Sequence, residues 1–164
     1  DNDEELAAGE IGEAVFKVPW MMKGYYKAPE LTAQVVTDGW CHTGDLVRMD
    51  ENGYLEYIEK KSFIVVTPSG LKISPWDVED VLLRHPSVAE AAYVGVKDMQ
   101  GEQIPTAFIV LKEGQDVTVE EIASFCCQNL ADFKLPKKIE FVDSIPKTGS
   151  GKIDRRRLKE GKAA

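Results

Sequence analysis

The sequence predicts an α+β fold, a small mixed β-sheet flanked by helices, preceded by a β-rich segment that reads as the end of a larger N-terminal domain. Three observations carry this expectation. Beyond about residue 60, short β-rich apolar runs alternate with amphipathic helical patterns in the order β-β-α-β-β-α-β-α. Before it, strand and turn patterns dominate but offer few apolar positions with which to close a core. The 43% hydrophobic fraction supports a real core, and 164 residues suffice for one ordinary domain or a small domain plus part of another.

Taken in order, "GEAVFKV" has strand composition, and "APELTAQVV" predicts a short helix after its proline. "GDLVRMDENGYLEYIEK" is two extended runs around Asn52-Gly53, a strong hairpin signal. The boundary is expected near Glu59-Lys60-Lys61, which divides the chain into 1–60 and 61–164. "SFIVVTPSGLKISP" reads as two short strands around Pro68-Ser69-Gly70. Ser74-Pro75 then opens a helix, with Asp77 and Glu79 in its first turn and Val78, Val81, Leu82 and His85 on one face. "VAEAAYVGV" and "IPTAFIVLK" are strands on either side of the turn in "KDMQGEQ". A second helix, "TVEEIASFCCQNLADF", starts on a capping box, Thr118 with Glu121. Strand "KKIEFVD", a glycine loop and a short basic helix, "DRRRLKE", complete the order.

Composition excludes several function classes. No apolar run approaches the roughly 20 residues that span a bilayer, and "DNDEELAAGE" is not a signal peptide, so a soluble cytoplasmic protein is expected. Cys41, Cys126 and Cys127 fit neither a disulfide framework nor zinc spacing and read as reduced packing residues; with only two histidines, no metal site is expected. A net charge of -8 argues against nucleic acid as a partner. That charge is unevenly spread: residues 144–164 carry seven Lys or Arg against two acids, and residues 1–143 carry thirteen against twenty-six. A basic tail on an acidic body suggests a localised anion site or a solvated terminal helix.

The basic stretch "SIPKTGSGKIDRRRLKE" holds the most chemistry. Glycines let backbone approach an anion closely, and Lys152 supplies a mobile charge. A Walker loop is excluded, because its first glycine falls on Pro146 and its hydroxyl on Ile153.

Three motifs in sequence order, "GYYKAPELT" (24–32), "WCHTGD" (40–45) and "PKTGSGKI" (146–153), together with "SGLKISPWDVED", resemble the C-terminal region of the adenylate-forming enzymes, the family of acyl-CoA synthetases, peptide-synthetase adenylation domains and luciferases. The resemblance covers nearly the whole chain. It implies that residues 1–60 are the end of a large domain that binds ATP and the acid, and that 61–164 are a mobile lid with two orientations. The activity implied is an acid:CoA ligase, with ATP and Mg2+, CoA and a carboxylic acid as its ligands and the absent remainder of the large domain as its partner. The fragment alone is expected to be inactive.

The resemblance also implies roles residue by residue. Asp45, with Thr43 beside it, would bind the ribose of ATP, since an acceptor-only carboxylate suits a diol. Lys152 would bridge the α-phosphate and the attacking carboxylate, Lys61 would be the hinge, and Ser69, Gly70 and Leu71 would line the path of the CoA pantetheine. Trp40 and His42 are expected to be structural. The three arginines 155–157 start the last helix, one or two facing the acidic body or the CoA phosphates. One position departs from the pattern: Glu59 stands where the family has an arginine, and Lys60 or Lys61 is the candidate substitute. Glu59 favours a second reading, a non-catalytic anion- or partner-binding module on the same fold, while intact Lys152 and Asp45 oppose it.

Overall fold

A computed structural model of the protein describes residues 4–160. The chain divides into two compact units, Asp1–Ser62 and Phe63–Ala164.

In the first unit, β1 (Ile11–Phe16), a short helix α1 (Pro29–Val35), β2 (Val36–Thr37), β3 (Trp40–Met49) and β4 (Leu55–Lys60) form a four-stranded antiparallel sheet in which β3 is central. Strands β3 and β4 make the hairpin expected around Asn52-Gly53, closing on the Met49–Leu55 pair. The sequence reading missed the β2–β3 hairpin, whose turn is Asp38-Gly39, because β2 is only two residues long. Among the described residues of this unit, Cys41 is the only buried hydrophobic side chain, whereas Trp20, Tyr26 and Tyr54 are largely exposed.

The second unit contains β5 (Val65–Val66), β6 (Lys72–Ile73), α2 (Pro75–Leu83), β7 (Val88–Lys97), β8 (Gln103–Leu111), α3 (Val119–Asn129), β9 (Lys138–Phe141) and α4 (Arg155–Lys159), with a 3-10 turn at Asp132–Lys134; another, Lys61–Phe63, spans the division between the units. The order is the expected one. Its main sheet is mixed: β7 and β8 are antiparallel, β8 and β9 parallel, in the order β7-β8-β9. Side-chain alternation explains why β7 and β8 read as continuous apolar runs. Ala91, Tyr93, Ala107 and Ile109 face one core with Val78 and Leu82 of α2 and Ile122 and Cys126 of α3. Ala92, Val94 and Phe108 face a second, with Ile145 and Leu158 of α4. The sheet is therefore buried on both faces.

Three local expectations are corrected. His85 lies beyond the end of α2, since Pro86 disfavours helical backbone at the residue before it; its ring instead meets Phe125 edge to face at 5.0 Å. Cys127 is exposed rather than a packing residue, while Cys41 and Cys126 are buried and all three are free thiols. Glu79 lies beyond the first turn of α2, in which Asp77 is the acid, and it is 5% exposed and ion-paired.

Candidate functional site

The first group of candidate residues is built by a distortion of β3. The β1–β3 register runs from the Glu13–Leu46 pair directly to the Val15–His42 pair, so Thr43, Gly44 and Asp45 oppose the single residue Ala14. Such a bulge re-aims side chains out of the ladder, and Gly44 supports it with φ +70°. Thr43 braces the bulge. Its hydroxyl donates to the Ala14 carbonyl at 2.7 Å and accepts the Asp45 N–H at 3.0 Å. Asp45, about one-third exposed, accepts from Lys60 Nζ at 2.8 Å through Oδ1; Lys60 also donates to the Thr43 carbonyl at 3.1 Å. Because Asp45 and Lys60 are paired across β3 and β4, Lys60 is the cation that faces Asp45, while Glu59 pairs with Leu46 in the register.

A residue the sequence reading did not single out organises this group. Glu13 Oε1 accepts the Gly44 N–H at 2.8 Å, and its Oε2 meets Lys61 Nζ at 3.0 Å and His42 Nδ1 at 3.5 Å. Burial works to raise the Glu13 pKa, but the Lys61 ammonium, the Gly44 N–H and His42 outweigh it and hold the carboxyl below its usual range. Glu13 thus joins Lys61 to the bulge that carries Asp45. Its only sequence signal was an acid inside a strand pattern, and its hydrogen-bond donors Gly44 and Lys61 lie 31 and 48 residues away. Trp40, 45% exposed, has Lys17 Nζ 5.9 Å from its ring centroid.

The second unit presents two turns of the same construction, Thr67-Pro68-Ser69-Gly70-Leu71 and Thr148-Gly149-Ser150-Gly151-Lys152. In each, the threonine and serine hydroxyls meet, at 2.9 and 3.0 Å. In each, the glycine N–H donates to the threonine carbonyl, at 2.8 and 2.9 Å, and the threonine N–H donates to the carbonyl of the fifth residue, at 2.9 and 2.7 Å. Both glycines have φ +82°, a conformation that side chains with a Cβ rarely adopt, and a Cβ at either would meet nothing within 4 Å. Leu71 and Lys152 therefore hold equivalent places on two exposed tips. Among the described residues no hydrogen bond or ion pair joins the two turns.

The base of the Lys152 turn is fixed. Lys147 and Ile153 form an antiparallel bridge, and the Asp154 N–H donates to the Pro146 carbonyl at 2.8 Å. Lys147 is tied to Glu90 on β7 at 2.9 Å. Of the three arginines, Arg155 is buried against Glu79, and Arg156 and Arg157 are exposed. Among the described residues no group of three or more His, Cys, Asp or Glu is placed to hold a metal, and no helix is long and apolar enough to cross a membrane.

A two-faced mixed sheet with a lysine on a pinned glycine turn fits the lid that the resemblance to the adenylate-forming enzymes implies. Residues 77–152 match the family model described as the AMP-binding enzyme C-terminal domain. Among curated relatives, it is 38% identical over 160 residues to the long-chain-fatty-acid–CoA ligase of Salmonella typhimurium, covering 98% of this chain and 28% of the relative. It is also 42% identical over 149 residues to the 2-succinylbenzoate–CoA ligase of Bacillus cereus, covering 91% of this chain and 30% of that one. Among solved structures, ATP-bound MatB from Rhodopseudomonas palustris superposes with a TM-score of 0.87 at 33% identity, over 96% of this chain and 31% of that one. The chain thus spans less than a third of the length of these relatives.

Proposed function

We propose that the chain is the C-terminal part of an ATP-dependent carboxylic acid:CoA ligase, in which acid and ATP give acyl-AMP and pyrophosphate, and CoA then gives acyl-CoA and AMP. In this reading residues 1–60 end the large AMP-binding domain and residues 61–164 are the lid, with Lys61 at the hinge. The scarcity of buried apolar side chains in the first unit supports the view that further chain covers it.

The observation that carries the reading is the exposed Lys152 on a turn whose base is pinned on both sides. A fixed ammonium beside the α-phosphate offsets the negative charge that grows there as the acid attacks. Asp45 fits the ribose: among the described residues only Lys60 donates to its carboxylate, through Oδ1, leaving Oδ2 for a hydroxyl. Lys60 takes the cationic place left open by Glu59, and Thr43 braces the bulge. Mg2+ would arrive with the nucleotide phosphates. Ser69, Gly70 and Leu71 serve the second half-reaction, where the open space above Gly70 suits the pantetheine arm. The relatives are named for acids as different as a long-chain fatty acid and 2-succinylbenzoate, so the shared region is common to ligases of unlike acids. Fatty acids are the first class to test, and the cytoplasm is the proposed setting.

The test is Lys152→Ala in the full-length enzyme. Acid-dependent exchange of pyrophosphate into ATP falls roughly 100-fold or more, while thioester formation from supplied acyl-adenylate survives. Equal loss of both half-reactions overturns the assignment. The 164-residue chain alone is expected to show little heat on titration with ATP, and submicromolar binding would contradict the proposed division of the site.

A further inference from the structure

Lys152 has no hydrogen-bond or ion-pair partner for its side chain among the described residues, so its direction is inherited from the turn that carries it. That turn leads into α4, a helix of five residues. A helix so short does not hold itself, since isolated helices below roughly 12 residues are marginal in water. Something else fixes α4, and with it the end of the Lys152 turn.

The structure supplies two anchors. Leu158 is fully buried in the second core. Arg155, three residues after Lys152, forms a buried ion pair, its side chain 9% exposed and that of Glu79 7%. The fork is bidentate, Nη1 to Oε1 at 2.5 Å and Nη2 to Oε2 at 2.9 Å. Glu79 Oε1 also accepts the backbone N–H of Tyr93 at 2.7 Å, on β7, the outer strand of its sheet. α2 belongs to one face of the sheet and α4 to the other, so the pair clamps the two layers together around the β7 edge. The Arg155 guanidinium also lies 5.4 Å from the Phe63 ring centroid, where the second unit begins. A planar fork bound at both nitrogens has its orientation set, as a lysine ammonium would not.

We propose that Arg155, locked to Glu79, is a positioning residue for Lys152: the clamp holds the first turn of α4, and so the base of the Lys152 turn, in the geometry that adenylation needs. This rests on the role given above to Lys152, and it withdraws Arg155 from any contact with CoA phosphates, leaving Arg156 and Arg157 for that task.

The test uses the full-length enzyme. Arg155→Met alone strands a buried carboxylate and is expected to destabilise the fold. The double variant Glu79→Gln, Arg155→Met removes both charges, while the amide oxygen introduced at position 79 still accepts the Tyr93 N–H. It is expected to melt close to the wild type, with the Thr148, Gly151 and Asp154 amides exchanging hydrogen about 10-fold faster. Its kcat for pyrophosphate exchange drops about 10- to 100-fold with KM for ATP unchanged, and thioester formation from supplied acyl-adenylate stays near wild type. Unchanged exchange at these amides overturns the clamp. Faster exchange with unimpaired adenylation overturns the proposal through the role of Lys152. Parallel loss of both half-reactions, tracking the melting temperature, reduces the pair to a structural role and also overturns it. If the double variant does not fold, Arg155→Lys, which keeps the charge and loses the fork, is read by the same criteria.

Discussion

At the scale of single residues, the first unit turns on Glu13, whose carboxylate receives the Gly44 N–H and the Lys61 ammonium. Its carboxyl is held below the usual 4.5, so its ionised form favours the folded state; that contribution is complete above the ordinary carboxylate range and is lost as pH falls through the lowered value. Glu13→Gln should therefore lower the melting temperature at pH 7 and lessen the further fall seen on acidification below about 4.5, as calorimetry at a series of pH values would show. A steeper fall in the variant would refute the linkage. Lys60→Ala should raise KM for ATP about 10-fold or more, roughly the worth of one charge-assisted contact, with a smaller effect on kcat. Little of this was legible beforehand. Asp45 stood out by its motif, but which of Lys60 and Lys61 faces it depends on strand register, and Glu13 acquires its importance only when β1 is laid against a bulged β3.

At the scale of elements, the order of strands and helices was readable because apolar periods of two and of about 3.6 residues alternate cleanly after residue 60. The capping box shows how far local chemistry reached: Thr118 Oγ1 accepts the Glu121 N–H at 3.2 Å, and Glu121 Oε2 accepts the Thr118 N–H at 2.8 Å. Thr118→Ala should cost about 1 kcal/mol, read as a lower urea midpoint without a change in slope. Short elements and distortions were not readable, because they depend on partners rather than on their own residues. β2 exists through its pairing with β3, and α4 through Leu158 and Arg155. The likeness of the two T-x-S-G turns was visible as spelling, "TPSG" and "TGSG", but its meaning is a shared hydrogen-bond pattern that only coordinates reveal.

At the scale of the whole molecule, thiol chemistry separates what composition had grouped. Cys126 is pushed up to about 11, first by burial and then by its neighbour Cys127, while Cys41 is buried in the first unit. A maleimide at pH 8 should label Cys127 alone in the native protein and all three thiols after denaturation, and mass spectrometry of the adducts decides it. Burial likewise raises the Tyr93 phenol. Both groups keep their protons in the folded state where an unfolded chain loses them, so stability falls as pH rises above about 9. The clamp around β7 has a further consequence during synthesis. Arg155 follows every strand of its sheet, so a chain emerging from the ribosome exposes the β7 rim, with the Glu79 carboxylate lacking its counter-charge, until β7, β8 and β9 have all been made. An unpaired strand rim invites association with other chains. Products shortened before Arg155 should therefore clump rather than merely lose activity, which makes the start of α4 a seal on the finished sheet.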